Sequence, residues 1–360
     1  MSAFGCEQCG ANLNFQPGTT ALKCPYCAYL NPITEPMAVQ VKEHDYQAFI
    51  ERVRNEDHFS EVLLVKCPSC AAETTFDPNV AASLCPFCGT GLVQTAYSQK
   101  QIKPEALLPF RVERKEALAA FRSWLGSLWF APNKLQKAAR HEEELSGIYL
   151  PFWTYDMQTT THYTGRRGEY YYETQYVTVR DNNGNTRQEA RQVQKIHWYP
   201  ASGTVHNSFD DVLVCASNTL PTHHTENLEP WDLPALIPYQ DAYLQGFRAE
   251  SYHISLEDGF DKAKHIMHPI IEATICRDIG GDVQDVISAQ TQYRDITFKH
   301  LLLPLWISAY RYAGKVYRFV VNGRSGEVNG ERPYSAVKIA FAIIASIIIA
   351  TLLYFLFSYR

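Results

Sequence analysis

The sequence predicts a multidomain chain: two small metal-clasped modules, one α+β domain with an antiparallel β-sheet, and one C-terminal transmembrane helix. Three observations carry that reading. A cysteine quartet of fixed spacing occurs twice near the N-terminus, a long stretch of globular composition follows, and nineteen consecutive uncharged residues stand close to the C-terminus. The expected division is 1–36 and 65–94 for the modules, 37–64 for a linker with a short helix, 95–106 for a connector, 107–335 for the α+β domain and 336–358 for the transmembrane helix.

The modules rest on spacing. Cys6-Glu7-Gln8-Cys9 is followed after fourteen residues by Cys24-Pro25-Tyr26-Cys27, and Cys67-Pro68-Ser69-Cys70 after the same fourteen by Cys85-Pro86-Phe87-Cys88. Each cysteine of the second set lies 61 positions after its counterpart, as do Phe76 after Phe15 and Pro78 after Pro17. Two residues between cysteines let both sulfurs of a tight turn point at one ion about 2.3 Å away, and two such turns complete a tetrahedral four-thiolate site. Gly10, Ala28, Ala71 and Gly89 follow the turns, where the chain must fold back past the sulfurs. The expectation is two rubredoxin-type zinc ribbons holding two Zn²⁺ ions, one through Cys6, Cys9, Cys24 and Cys27, the other through Cys67, Cys70, Cys85 and Cys88. A redox role for Cys24-Pro25-Tyr26-Cys27 would need a βαβ setting, and disulfides would need an oxidising compartment. The surroundings supply neither, and no secretory signal is evident. Cys215 and Cys276 stand alone in apolar surroundings and read as core.

The uncharged run is Ile339–Phe357. As a helix it is about 28 Å long, close to the hydrocarbon thickness of a bilayer. Lys338 bounds it on one side, with Arg332 further back, and Tyr354 and Tyr359 suit the far interface. Thiol-based metal sites belong in a reducing compartment, so the expected topology is single-pass in the cytoplasmic (inner) membrane with the N-terminus in the cytosol. Ala342, Ser346 and Ala350 recur every four residues, a small-residue face on which a second copy of the helix can pack to form a homodimer.

In the central domain a strand is expected over Leu107–Val112 and a helix over Lys115–Trp129, with Ala117, Leu118, Phe121, Trp124, Leu125 and Leu128 at helical spacing. Alternating Thr, Tyr and Val predict a hairpin of Tyr170–Val179 and Arg187–Tyr199 around Asp181-Asn182-Asn183-Gly184. A second helix is expected over Glu257–Arg277, capped by Ser255, kinked at Pro269 and stopped before Gly280-Gly281. A last hairpin pairs Leu305–Tyr312 with Val316–Val321. Phe49, Ile50 and Val53 give the linker helix, near Tyr46–Asn55, an apolar face. Leu150-Pro151-Phe152-Trp153 recurs as Leu303-Pro304-Leu305-Trp306, which suggests two similar halves and places both prolines at strand starts or edges.

No enzymatic activity is expected. GxSxG, HExxH, GxGxxG and GxxxxGK[ST] are absent, and Ala313-Gly314-Lys315 is a turn without phosphate-loop spacing. His265 and His268 share a helix face but lack a third ligand; His223-His224 with Glu226 and Asp210-Asp211 read as loop and turn. A catalytic alternative would have to gather groups such as His197, His206, His265 and Asp211 in one pocket. Nucleic-acid binding starts from cations, yet residues 1–100 hold six Lys/Arg against ten Asp/Glu, and each four-thiolate zinc site adds two more negative charges.

The segments LPFRVERKEALAAFRSWLGSLWFAPNKL, GIYLPFWTYD, WYPASGTVHNSFDDVLVCAS, YLQGFRAESY, FKHLLLPLWISAYRY and VVNGRSGEVNGERPYS, with cysteines that match a ribbon's ligand pattern, resemble a prokaryotic family of tail-anchored TFIIB-type zinc-ribbon membrane proteins, from whose single-ribbon layout the two complete quartets depart. Its members are often labelled "primosomal protein N′ / superfamily II helicase". The resemblance implies the ribbon–domain–anchor order and a membrane scaffold or anchor working with flotillin-like (SPFH-domain) or phage-shock-type membrane-stress proteins. The helicase label finds no support in the residues, because a motor needs a phosphate loop and an acidic Mg²⁺ partner. The expected function is a membrane-anchored, cytosol-facing scaffold for protein–protein interaction, with a replication-associated nucleic-acid-binding protein as the alternative.

Overall fold

The computed structural model describes residues 4–34, 41–53, 59–75, 83–88, 90–92, 96–132, 145–180, 186–221, 224–225, 227–312 and 315–358. Strands β1 (Asn14–Phe15), β2 (Ala21–Lys23) and β3 (Leu30–Pro32) form a small antiparallel sheet around the first cysteine quartet. β4 (His44–Asp45) leads into α1 (Tyr46–Val53). The second quartet is framed by β5 (Phe59–Lys66), β6 (Glu73–Thr75), β7 (Ser83–Leu84) and β8 (Gly91–Leu92). β9 (Ala96–Ile102) pairs with β5 from Phe59 to Val65, so the stretch expected to be a polar connector is instead the third strand of the β6-β5-β9 sheet.

The central domain is dominated by strands far more than the sequence suggested. After β10 (Ala106–Leu107) and α2 (Arg114–Ser127) come β11 (Ser146–Arg180) and β12 (Thr186–Cys215), one hairpin of very long strands. β13 (Ile237–Pro238) and β14 (Arg248–Ala249) are short; α3 (Leu256–Ile279) follows, then β15 (Val283–Tyr312), β16 (Lys315–Asn322) and β17 (Val328–Gly330). The main path of the sheet runs β12-β11-β15-β10-β13. The last described element is α4 (Ala336–Ser358).

α3 lies on the long strands because its sequence leaves one apolar stripe: Phe260, Ala263, Met267, Ile271, Ile275 and Ile279 are all buried at three- and four-residue spacing. The Ser255 hydroxyl accepts the Asp258 N–H at 3.1 Å, and Gly280 (φ 66°) ends the helix. Gly259 allows the closest approach: a Cβ there would stand 2.5 Å from the Tyr155 hydroxyl and 2.8 Å from Trp153. The helix runs through Pro269 on its exposed side.

Pro151 and Pro304 lie inside β11 and β15, not at strand starts. Each occupies a gap between successive neighbours. On one edge of β11, β14 pairs through Tyr149 and β12 begins at Phe152; on one edge of β15, β10 pairs through Leu302 and β16 begins at Leu305. A missing N–H is tolerated there because no ladder partner faces it.

Both cysteine modules are packed into the domain. Leu13, Phe15 and Leu22 share a core with Phe110, Phe121, Tyr243 and Trp306, while Phe87 and Val65 join Leu150, Leu301 and Leu303. A single segment receives both: Phe15 donates its N–H to Gln245 (2.9 Å), and Ser251 donates its N–H to Glu73 (3.2 Å).

Candidate metal centres

The eight expected ligands converge as two groups of four, each with its sulfurs within 4.8 Å of one another. Cys6–Cys27 and Cys9–Cys24 approach to 3.6 and 3.5 Å, and Cys67–Cys88 and Cys70–Cys85 to 3.6 Å. Sulfurs about 2.3 Å from a tetrahedral ion would be about 3.8 Å apart, so these spacings fit one four-coordinate ion per quartet. Neighbourhood in sequence sets the grouping, with no interleaving.

The turns explain the geometry. Gly10 N–H donates to Cys6 O (2.8 Å), Ala28 N–H to Cys24 O (3.0 Å) and Ala71 N–H to Cys67 O (2.9 Å). These three residues take φ of 74°, 60° and 61°, the left-handed turn that small residues enter at least cost. Gly89, Phe76 and Pro78 lie outside the described residues.

Four thiols this close cannot all ionise alone. The Cys27 N–H, 3.5 Å from the Cys24 sulfur, is the main group that brings the Cys24 thiol down to about 6. The Tyr29 N–H favours the Cys27 thiolate, but burial and the neighbouring sulfurs outweigh it and push that thiol up to about 12. In the second quartet burial lifts Cys70 to about 11; it opposes ionisation of Cys88 too, yet the Thr90 hydroxyl and N–H bring Cys88 down to about 6. A dication among four sulfurs removes that conflict. Asn31 is a contributor the spacing did not reveal: buried, it accepts the Glu7 N–H at 3.0 Å and directs its amide towards the Cys6 sulfur at 3.9 Å. Position 92, its counterpart 61 residues on, is Leu92, so the sites differ in this support.

Other candidates scatter. His268 is exposed beside Glu272 (3.8 Å), His206 meets Thr160 (3.2 Å), and the His197 ring lies 4.8 Å from Tyr199. His265, Asp210 and Asp211 do reach one cavity of about 730 Å³ between β12, α3 and Glu229–Leu233, which Cys215 also lines. His223, Glu226 and the Ala313-Gly314 turn lie outside the described residues. An unexpected cluster surrounds Lys299, whose Nζ is 2.7 Å from Asp211, 3.0 Å from Glu43 and 3.6 Å from Asp156. Burial would lower its pKa, but the three carboxylates prevail and raise it. A second surprise is Glu250, fully enclosed, with Thr219 donating to Oε1 and His253 Nδ1 3.7 Å away.

α4 is long and apolar enough to cross a membrane, and none of Ala336–Phe357 is buried by the rest of the chain. Its start is fastened to the turn after α2: Lys338 Nζ donates to Trp129 O (3.0 Å) and Ala131 O (2.8 Å), and Ser335 N–H to Phe130 O (2.8 Å). Trp129 and Phe130 are themselves exposed. Ala342, Ser346 and Ala350 share the bare helix, with the Ser346 hydroxyl donating to Ala342 O at 2.9 Å.

No family model matches the chain. It is similar to a protein of Bacillus subtilis (strain 168) described as "Uncharacterized protein YdjG", 26% identical over 242 residues. The match covers 66% of each protein, so it spans just under two thirds of that relative's length. No solved structure matches the chain.

Proposed function

We propose that this chain is a membrane-anchored, cytosol-facing zinc-ribbon protein that works as a protein–protein scaffold or anchor. The observation that carries the reading is the exposed apolar rim of the Cys24–Cys27 turn: Tyr26 is 84% exposed, and Tyr29 and Leu30 stand open beside it. Aromatic side chains held on a rigid, metal-clasped turn bind a partner with little loss of conformational freedom. Four thiolates in tetrahedral spacing suit Zn²⁺. Cys6, Cys9, Cys24 and Cys27 would hold one ion and Cys67, Cys70, Cys85 and Cys88 the other, each ion supplying structural cross-linking. α4 would place the protein in the cytoplasmic membrane. The resemblance to TFIIB-type zinc-ribbon membrane proteins points to flotillin-like SPFH or phage-shock-type partners.

The test is co-purification of a flotillin-like SPFH protein with the full chain in mild detergent. Tyr26→Ser with Leu30→Ser should weaken capture tenfold or more while both metal ions stay bound. Capture unchanged by that pair, or salt-sensitive DNA binding by the purified chain instead, would overturn the reading.

A further inference from the structure

The long sheet loses a strand at Gly168. β15 pairs with β11 only as far as Gly168↔Val283, whereas β11 and β12 continue together to Arg180↔Thr186. Beyond that point Glu169–Arg180 is bonded to β12 on one side and has no strand on the other among the described residues. A two-stranded antiparallel arm of this kind is marginal in water, and its open edge is a template for another strand.

The direction of the free groups is fixed. The Tyr170 N–H donates to Asp282 Oδ2 (2.8 Å), and Gly168 O accepts the Asp282 N–H (2.9 Å), both on the β15 side. Tyr172, Thr174, Tyr176 and Thr178, in phase with Tyr170, therefore turn their N–H and C=O groups to the open edge. The same residues share one face of the arm. The five on β11 from Tyr170 to Thr178 and the five opposite them on β12 carry no charge. Tyr172 and Tyr176 are 64% and 70% exposed there. Between Glu169 and Val179 the charges occupy the other face, where Glu169 pairs with Arg167 at 2.7 Å and Glu173 with Lys195.

We propose that the open edge of Glu169–Arg180 pairs antiparallel with the same edge of a second copy, completing a four-stranded sheet. A strand paired this way runs collinear with β15 and fills the place β15 vacates. Side chains on one face must meet their like, so Thr174 falls opposite the partner copy's equivalent residue on the two-fold axis. Tyr172 then faces Tyr176 and Tyr171 faces Val177, while the Tyr170 N–H stays with Asp282. These aromatic–aromatic and aromatic–β-branched pairs stabilise cross-strand contacts, and no like charges stand directly opposite. Glu169–Arg180 holds no Lys or Pro, residues that commonly keep edges apart. The pairing does not depend on the scaffold reading or on contact between tail helices.

The experiment uses the full chain in mild detergent, with a short two-armed thiol reagent. Thr174→Cys should give a covalent dimer, since strands on the axis put these Cα atoms about 5.5 Å apart. Gln192→Cys, directly opposite Thr174 on β12, should give little, because the outer strands would lie about 14 Å apart. Adding Tyr172→Lys and Tyr176→Lys to Thr174→Cys should abolish the dimer while leaving metal content unchanged. Cross-linking of neither cysteine, of both alike, or of Thr174→Cys despite the two lysines would overturn the proposal, and none of these outcomes bears on partner capture by the ribbons.

Discussion

Leu150 of β11 stands directly opposite Leu303 of β15, so the Leu150-Pro151 and Leu303-Pro304 sequences face each other across one ladder. Pro151 is paired with Leu302 and Pro304 with Tyr149, the relation a local two-fold axis through the leucine pair would produce. The elements repeat in the same order on each side: α2, β11 and β12 in one half, α3, β15 and β16 in the other. Leu150 and Leu303 are fully buried, and a shortened side chain at either would open a void at the point where the halves meet.

Separate clustering of the quartets means that each ion can be removed by itself. Cys24→Ser is expected to lower bound zinc from two equivalents to about one, with the Cys67–Cys88 site retained. Elemental analysis of the purified protein measures this. Loss of both ions from the single change would show that the two sites are energetically one.

Phe15 belongs to the first metal module but packs against Tyr243, with ring centroids 5.0 Å apart. Phe15→Ala should therefore cost the central domain about 3–5 kcal/mol, the usual penalty for emptying a buried aromatic site. Chemical denaturation followed by near-ultraviolet circular dichroism reads the effect. An unmoved central transition would mean that the module is a passenger.

Glu250 makes stability depend on pH. Burial, only partly countered by Thr219 and Ser217 and reinforced by the charge of Glu73, raises its pKa from an ordinary 4.5 to about 8; Cys215 and half-buried His253 are the other titratable neighbours. The folded chain thus keeps a proton that the unfolded chain releases. Stability is full below about pH 4.5 and falls as pH rises towards 8, by at most about 1.4 kcal/mol per pH unit. Glu250→Gln should flatten that slope in denaturation curves at pH 5, 6, 7 and 8.

Removal of residues 336–360 should transfer the protein from the membrane pellet to the supernatant with both zinc equivalents kept, since no part of Ala336–Phe357 is buried by the domain. Fractionation followed by metal analysis checks it. A truncated chain that stays in the pellet, or loses zinc, would place the helix within the fold.

How much of this was visible in the sequence depends on range. The quartets were, because the spacing of Cys6 to Cys27 and Cys67 to Cys88 is local chemistry; so were the Ser255 cap and the Gly280 stop of α3. The length of β11 was not. Gln158–Gly165 is rich in threonine, with neither a turn signal nor a clear apolar alternation, and becomes strand only because β12 and β15 flank it. The docking of the modules was hidden for a related reason: Leu13, Phe15 and Leu22 read as a minimal local core, not as half of a larger one. Lys299 and Glu43, separated by 256 positions, could be brought together only by the fold.

The bonds from Lys338 to Trp129 and Ala131, with Ser335 to Phe130, fasten the start of α4 to the central domain. A free linker would let a span lean while its cargo stayed upright. Here a thinner bilayer, which long spans accommodate by tilting, would lean the domain with the helix and re-aim whatever it holds. With α4 spanning a bilayer, the clasp would turn membrane thickness into an orientation of the domain.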